Sequence, residues 1–186
     1  MSVERRRAQR GLTLVELVVF IVVVSVGLAG VLGVINRTAL ASVNPMLVKQ
    51  QIAIAEALLE EVSGKAFTWC DPDDAKVLEA TSAAGCNVAQ GLAATPGESR
   101  YSSTTPFDNV GDYAGFSMNG IRNPADNSVI AGLSGYVASV AVVQAGSALG
   151  LADNSAALRI DVTVTAPDNT AITLTGYRSR HAPNSP

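Results

Sequence analysis

From Leu17 to Asn36 the chain carries no charged side chain, and Ser25 and Asn36 are the only polar residues in the run. About twenty residues at ~1.5 Å rise each span the ~30 Å hydrocarbon core of a bilayer, so this segment predicts a membrane-crossing helix. Fourteen of its residues are Val, Ile, Leu or Phe, and together they favour insertion by about 4 to 8 kcal/mol. Glu16 opposes them, but an acidic residue costs at most about 2.5 to 3.5 kcal/mol at a helix centre, and Glu16 stands at the near end. Insertion prevails. Residues 1–11 hold Arg5, Arg6, Arg7 and Arg10 against a single acid, Glu4, and the positive-inside rule keeps them in the cytoplasm and exports everything after Asn36.

Although 48% of the 186 residues are hydrophobic, the excess comes from that one run. The remainder is an ordinary polar sequence, long enough for one modest core. The formal net charge is −3, which excludes a basic nucleic-acid binder, and the apolar content excludes disorder. The expected organisation is a basic leader over 1–11, a transmembrane segment over 12–36, an amphipathic helical continuation over 37–64 and an exported domain over 65–186. A conventional signal peptide is the alternative reading, with Ala39-Leu40-Ala41 as its cleavage site; the apolar run exceeds the usual h-region, and such a signal has no use for Glu16.

Read together, Arg10-Gly11-Leu12-Thr13-Leu14-Val15-Glu16-Leu17 resembles the processing site of type IV prepilins and pseudopilins. The resemblance implies cleavage after Gly11 by a membrane-embedded aspartic peptidase, N-methylation of the new terminus Leu12, and a role in subunit assembly for Glu16. Leu12 stands where phenylalanine or methionine is more usual. Electrostatics gives Glu16 a role on separate grounds. A carboxylate in low dielectric requires a proton or a positive partner, and cleavage would create an amine at Leu12. Side-by-side copies could pair the amine of one chain with Glu16 of its neighbour and so set axial register; snorkelling of Glu16 to the head groups is the simpler alternative. Ser25, Ala29 and Gly33 form a small-residue stripe that permits close helix approach, but membrane helices tolerate such residues anyway.

Asn44-Pro45 reads as an N-cap followed by proline at the first helical position, which predicts a kink or short break near Ala41 to Pro45. Beyond it, Val48, Ile52, Ala55, Leu59 and Val62 recur at helical spacing opposite Lys49, Gln50, Glu56 and Glu60, to a stop at Ser63-Gly64 with glycine as the C′ residue. Residues 67–116 are loop-rich yet hold Phe67, Trp69, Tyr101, Phe107, Tyr113 and Phe116. These rings are expected to pin the loops onto a sheet, with a carbohydrate-binding platform as the alternative.

Cys70 and Cys86 are the only cysteines. They lie on the exported side, where disulfides persist, and a bridge is favoured over zinc because the single histidine, His181, is distant. Asp71, Asp73 and Asp74 hint at calcium, but the EF-hand register is missing and surface acidity is the better reading. The last third predicts strands. Tyr136, Ala138, Val140 and Val142 alternate with their neighbours, as do Leu158, Ile160, Val162 and Val164, and Pro167-Asp168-Asn169 turns the chain into Thr170 to Tyr177. An antiparallel sheet with one apolar face needs a cover, which the stripe from Val48 to Val62 supplies. The fold class expected is therefore α+β, a long helix packed by its second half on an antiparallel sheet, as the prepilin resemblance also implies.

Pro45-Met46, Ala53-Ile54-Ala55-Glu56-Ala57-Leu58-Leu59-Glu60-Glu61, Cys70-Asp71-Pro72-Asp73-Asp74 and Thr105-Pro106-Phe107-Asp108-Asn109-Val110 are similar to the D-type minor pilins of the mannose-sensitive haemagglutinin (MSHA) pilus system. This resemblance implies a minor pilin that enters the bacterial inner membrane as a single-pass precursor and then reaches the periplasm or a surface pilus. The implied partners are other pilin subunits through the amino-terminal helix, the prepilin peptidase and methylase, and the inner-membrane assembly platform, with no nucleic acid and no cofactor. Unlike the pair that pilins often carry near the C-terminus, the two cysteines follow the helix directly. A minor pseudopilin of type II secretion and a secreted binding domain are the other readings. An enzyme is not expected, since one histidine, no Gly-x-Ser-x-Gly elbow, no phosphate loop and no metal-ligand cluster in the sequence leave little to build a reaction from.

Overall fold

The computed structural model describes residues 13–186, with residues 33–44 described by backbone alone. The chain divides into two compact units, Met1–Met46 and Leu47–Pro186. A single helix, α1 (Leu14–Ser63), contributes to both. It runs through Pro45, so neither the break nor the N-cap expected at Asn44-Pro45 is present. A proline without an N–H withdraws one intrahelical bond, here from the carbonyl of Ala41, and the turns on either side continue the ladder.

In the second unit, β1 (Ser117–Asn119), β2 (Val137–Gln144), β3 (Ala157–Thr165) and β4 (Ala171–Ser179) form an antiparallel meander in the order β1-β2-β3-β4. Val140 pairs with Val162 and Val162 with Leu174, so the apolar positions of three strands share one face. The predicted alternation in β2 and β3 holds: Ala138, Val140, Val142, Leu158, Ile160, Val162 and Val164 are all buried. At the β3–β4 turn, Asn169 takes φ 63°, and the Asp168 carboxylate accepts from the Thr170 N–H at 3.0 Å and its hydroxyl at 2.6 Å, the local bonding that makes Asx residues turn formers. The short strand β1 has no alternating run to announce it.

The helix covers the sheet, but with a face rotated from the expected one. Gln51, Ala55, Leu58 and Val62 are buried, whereas Val48 and Ile52 are exposed. Gln51 explains the rotation. Its Nε2 donates to the carbonyls of Val164 at 3.1 Å and Thr170 at 2.8 Å, at the end of β3 and in the turn after it, so the amide bonds main-chain groups that an apolar residue there would leave unpaired. Gln50, expected on the polar face, accepts from the Tyr136 hydroxyl. At Gly176 the sheet receives the helix closely: an added Cβ would lie 3.0 Å from Leu59 Cδ1. The helix ends at Ser63 as expected, but Gly64 is not among the positive-φ glycines, and Gly64 N–H simply continues the ladder to Glu60 O at 2.9 Å.

The aromatic residues of the loop-rich region belong to the interior. Phe107, Tyr113 and Phe116 make three edge-to-face pairs with centroids 5.1 to 6.1 Å apart, and they join the core cluster of helix and sheet. Phe67 belongs to the same cluster, and with Trp69 it holds the Arg180 guanidinium, 4.2 and 3.9 Å from their ring centroids. Cys70 and Cys86 form a disulfide across a sequence separation of 16. Although the pair follows the helix in sequence, the C-terminal tail docks on its loop: Asn184 Nδ2 donates to the carbonyls of Val77 and Ala80, both at 2.8 Å. A loop of that length is worth about 3 kcal/mol in the chain-entropy model. Reduction is therefore expected to lower unfolding free energy by about that amount, measured by urea titration of the full chain with and without dithiothreitol; identical midpoints would show that the loop is held by its other contacts alone.

Candidate functional site

The amino-terminal end of α1 is built by a local hydrogen-bond exchange. Thr13 Oγ1 accepts from the Glu16 N–H at 3.3 Å, and Thr13 O accepts from the Leu17 N–H at 3.1 Å. The first satisfies one of the donors that a helix start leaves orphaned, and the second is the first bond of the helical ladder. They place Glu16, the acid of the first turn, where the helix macrodipole favours negative charge. Its side chain is exposed. Gly11 and Leu12, the expected cleavage and methylation residues, lie outside the described residues.

From Leu14 to Leu32 the helix is long and apolar enough to cross a membrane, and none of this stretch is buried in the protein. Val, Leu, Ile and Phe point outward all round it, which in water would expose far more apolar surface than a soluble protein presents. Ser25 bonds its hydroxyl to the Ile21 carbonyl at 2.7 Å, so its polar group is satisfied within the helix and adds nothing to the insertion cost. Residues 6–32 match the family model of the prokaryotic N-terminal methylation motif. This segment is like those of type IV prepilins and pseudopilins. The motif implies processing by prepilin peptidase and assembly of the pilin type, and with the apolar helix it fits a membrane-anchored precursor. Together with the helix and the four-stranded sheet, it makes the α+β architecture type IV pilin-like. No curated protein and no solved structure matches the chain.

The exported unit brings together a second set of residues that the sequence reading kept apart. Asp71, Asp73, Glu98 and Asp108 place carboxylate oxygens within 4.8 Å of one another. Asp71 and Asp74 are buried, against the expectation of surface acidity, whereas Asp73 is exposed as expected; the grouping of the four carboxylates is made by the fold and has no pattern in the sequence. Three loops converge. Residues 69–71 pair with 88–90 through Asp71 N to Val88 O and Gln90 N to Trp69 O, both 3.0 Å. Ala66 pairs with the 108–110 segment, donating to Asp108 O at 3.2 Å and accepting from Val110 N at 2.9 Å. Thr95-Pro96-Gly97-Glu98 is a turn closed by Glu98 N to Thr95 O at 3.0 Å, with proline second and glycine third at φ 100°, the residues a type II turn requires.

Asp74 is bonded to the surrounding loop, accepting from the Val88 N–H at 2.5 Å and from the Asn87 side-chain amide and the Lys76 N–H at 2.9 Å; those bonds, Val88 first, hold its carboxyl below the ordinary range. Burial, reinforced by Asp112, Asp71 and Asp108, pushes Glu98 up to about 7. Asp108 rises to about 6 through burial and the charges of Asp112, Asp71 and Asp73, with Lys65 opposing. The sequence signal for these partners was absent because Glu98 and Asp108 lie more than twenty residues from Asp71 and only the disulfide-bounded loop, the turn at Pro96-Gly97 and the pairing at Ala66 bring them together.

Proposed function

We propose that the protein is a minor pilin subunit of an MSHA-like type IV pilus, cut after Gly11, N-methylated on Leu12 and acting in pilus assembly rather than catalysis. The observation that carries the reading is the methylation motif at residues 6–32, which contains a membrane-length apolar helix over Leu14–Leu32. The similarity of residues 45–46, 53–61, 70–74 and 105–110 to D-type minor pilins supports the choice of system. The apolar helix serves as anchor before assembly and as packing surface in the filament, since the lipid-facing residues that solvate it in the membrane are equally suited to bury against other subunits.

Mass spectrometry of the mature chain should find N-methyl-Leu12 as its first residue; an unmodified start at Ser42 would replace the pilin reading by a secreted domain. Shearing surface filaments from intact cells should bring the protein with them. Retention with the secretion machinery in pilus-free cells would assign it instead to a type II pseudopilus.

A further inference from the structure

Arg180, just past the end of β4, lies against the rings of Phe67 and Trp69, which hold it by cation–π attraction. Among the described residues it forms no ion pair. Its Nε is removed from solvent and donates to nothing, and Nη1 reaches only Ser155 Oγ, at 3.4 Å. Burial works against the charge, with Asp153 offsetting part of it. A desolvated guanidinium without a partner is costly, and its rigid fork of donors matches a carboxylate. Gln90 is orphaned in the opposite sense. Its Nε2 donates to Asp112 Oδ1 at 2.8 Å and more loosely to Gly91 O at 3.4 Å, which fixes the amide's orientation and leaves Oε1 buried without a donor. Arg180 and Gln90 line one cleft of about 80 Å³, and no acidic residue lines it. Thr68 and Asn109, also in the lining, bond each other and the main chain. Leu92 and Gln144 are exposed, so the cleft reaches the surface. We propose that it binds a carboxylate bearing a neighbouring hydroxyl, with Arg180 holding the carboxylate and Gln90 Oε1 accepting from the hydroxyl.

One unspent donor and one unspent acceptor select the ligand. A halide or a fully ionised phosphate would pair with Arg180 but set negative charge against the Gln90 oxygen. A neutral alcohol would satisfy Gln90 and leave the guanidinium alone. A hydroxy acid answers both, because its two functions have the opposite polarity to the two groups that meet them. Size narrows the class further. A cleft of about 80 Å³ is far below the ~300 Å³ of a site that engulfs a drug-sized ligand. It therefore takes the acid end of a molecule, either a free small hydroxy acid or the carboxylate of a uronic sugar whose ring stays outside.

Trp69 is the only tryptophan of the chain, and its ring centroid lies 3.9 Å from the Arg180 Cζ, so its fluorescence reports on the site. The full chain in detergent micelles is titrated at pH 7.5 and constant ionic strength with sodium glycolate, acetate, glucuronate and chloride. Glycolate should give a saturable change and bind roughly 3- to 10-fold more tightly than acetate, the effect of one added neutral hydrogen bond. Arg180→Gln should weaken glycolate by about tenfold or more. Gln90→Met should bring glycolate down to the level of acetate and leave acetate unchanged, and it decides the matter if loss of the ring contacts unfolds Arg180→Gln. Glucuronate as tight as glycolate would place the acid on a sugar; weaker binding would make the ligand a free acid. A chloride response equal to that of the acids, equal affinities for glycolate and acetate in the wild type, or a glycolate preference that survives Gln90→Met would overturn the site. The cleft lies wholly within the exported unit, so the outcome is independent of the pilin reading.

Discussion

Replacing Arg100 with alanine is expected to destabilise the exported unit by about 3 to 5 kcal/mol, the usual effect of stripping a buried charge of its partner. The Arg100 side chain is 6% exposed and its Nη2 lies 2.6 Å from Glu61 Oε2. Nε completes a fork to Glu61 Oε1 at 2.7 Å, and the Tyr113 hydroxyl donates to the same oxygen at 2.7 Å. A third donor, Nη1, reaches Arg122 O at 3.2 Å. One side chain therefore ties the end of α1 to two loops. Burial opposes ionisation of Glu61, but the bonds from Arg100 and Tyr113 outweigh it and hold the carboxyl below its ordinary value. That contribution is present above the unfolded carboxyl pKa and is lost as pH falls through the folded one. Urea unfolding of the full chain in micelles at pH 7 measures the loss. The double variant Glu61→Gln, Arg100→Met should recover most of it, because no charge remains buried alone; a double variant as unstable as Arg100→Ala would locate the effect in packing.

Stability should peak between two pH ranges. Glu61 weakens the fold in acid, whereas the folded values of Glu98 and Asp108 lie above the unfolded ones, so their contribution is full at low pH and is lost as pH rises through about 7 and about 6. The pH of maximal Tm is then a readout of which group dominates.

Strict alternation made β2 and β3 legible, because a half-buried antiparallel strand has a period of two that few other structures imitate. The helix was legible in its end but not in its rotation. A polar residue that the apolar stripe left out belongs to the buried face: Gln51 turns inward to donate to two carbonyls that come together only when the strands pair. β1 was missed because three residues with one buried side chain, Met118, carry no period. The carboxylate group was half visible. Asp71, Asp73 and Asp74 advertise themselves by proximity, yet Asp74 spends its oxygens on loop amides while Glu98 and Asp108 arrive from elsewhere. Local sequence can show that acids are near one another, but which oxygens remain unpaired is decided by tertiary bonds.

The amino terminus is the reverse case, where a short motif is legible in the sequence and residues 6–32 match the methylation family model. If Glu16 neutralises the Leu12 amine of a neighbouring subunit, Glu16→Gln should insert at least as well as the wild type, since an acidic penalty disappears. Incorporation into filaments should fall. Burying an unpaired ammonium in hydrocarbon would cost about 2.5 to 3.5 kcal/mol on the insertion scale, but the amine has a cheaper route. An α-amino group with a pKa near ~7.7 to 8.0 can shed its proton at pH 7 for about 1 to 1.4 kcal/mol. The smaller cost sets the effect, so the variant should reach sheared filaments at roughly one-fifth to one-tenth of the wild-type fraction. Its deficit should shrink as the assembly pH is raised past 8, where the amine is neutral without penalty. Normal cutting after Gly11 and normal membrane amounts, assayed beside the filament fraction, would separate assembly from processing. Equal recovery of variant and wild type in filaments would remove the pairing and leave Glu16 a part in cleavage, methylation or contact with the head groups.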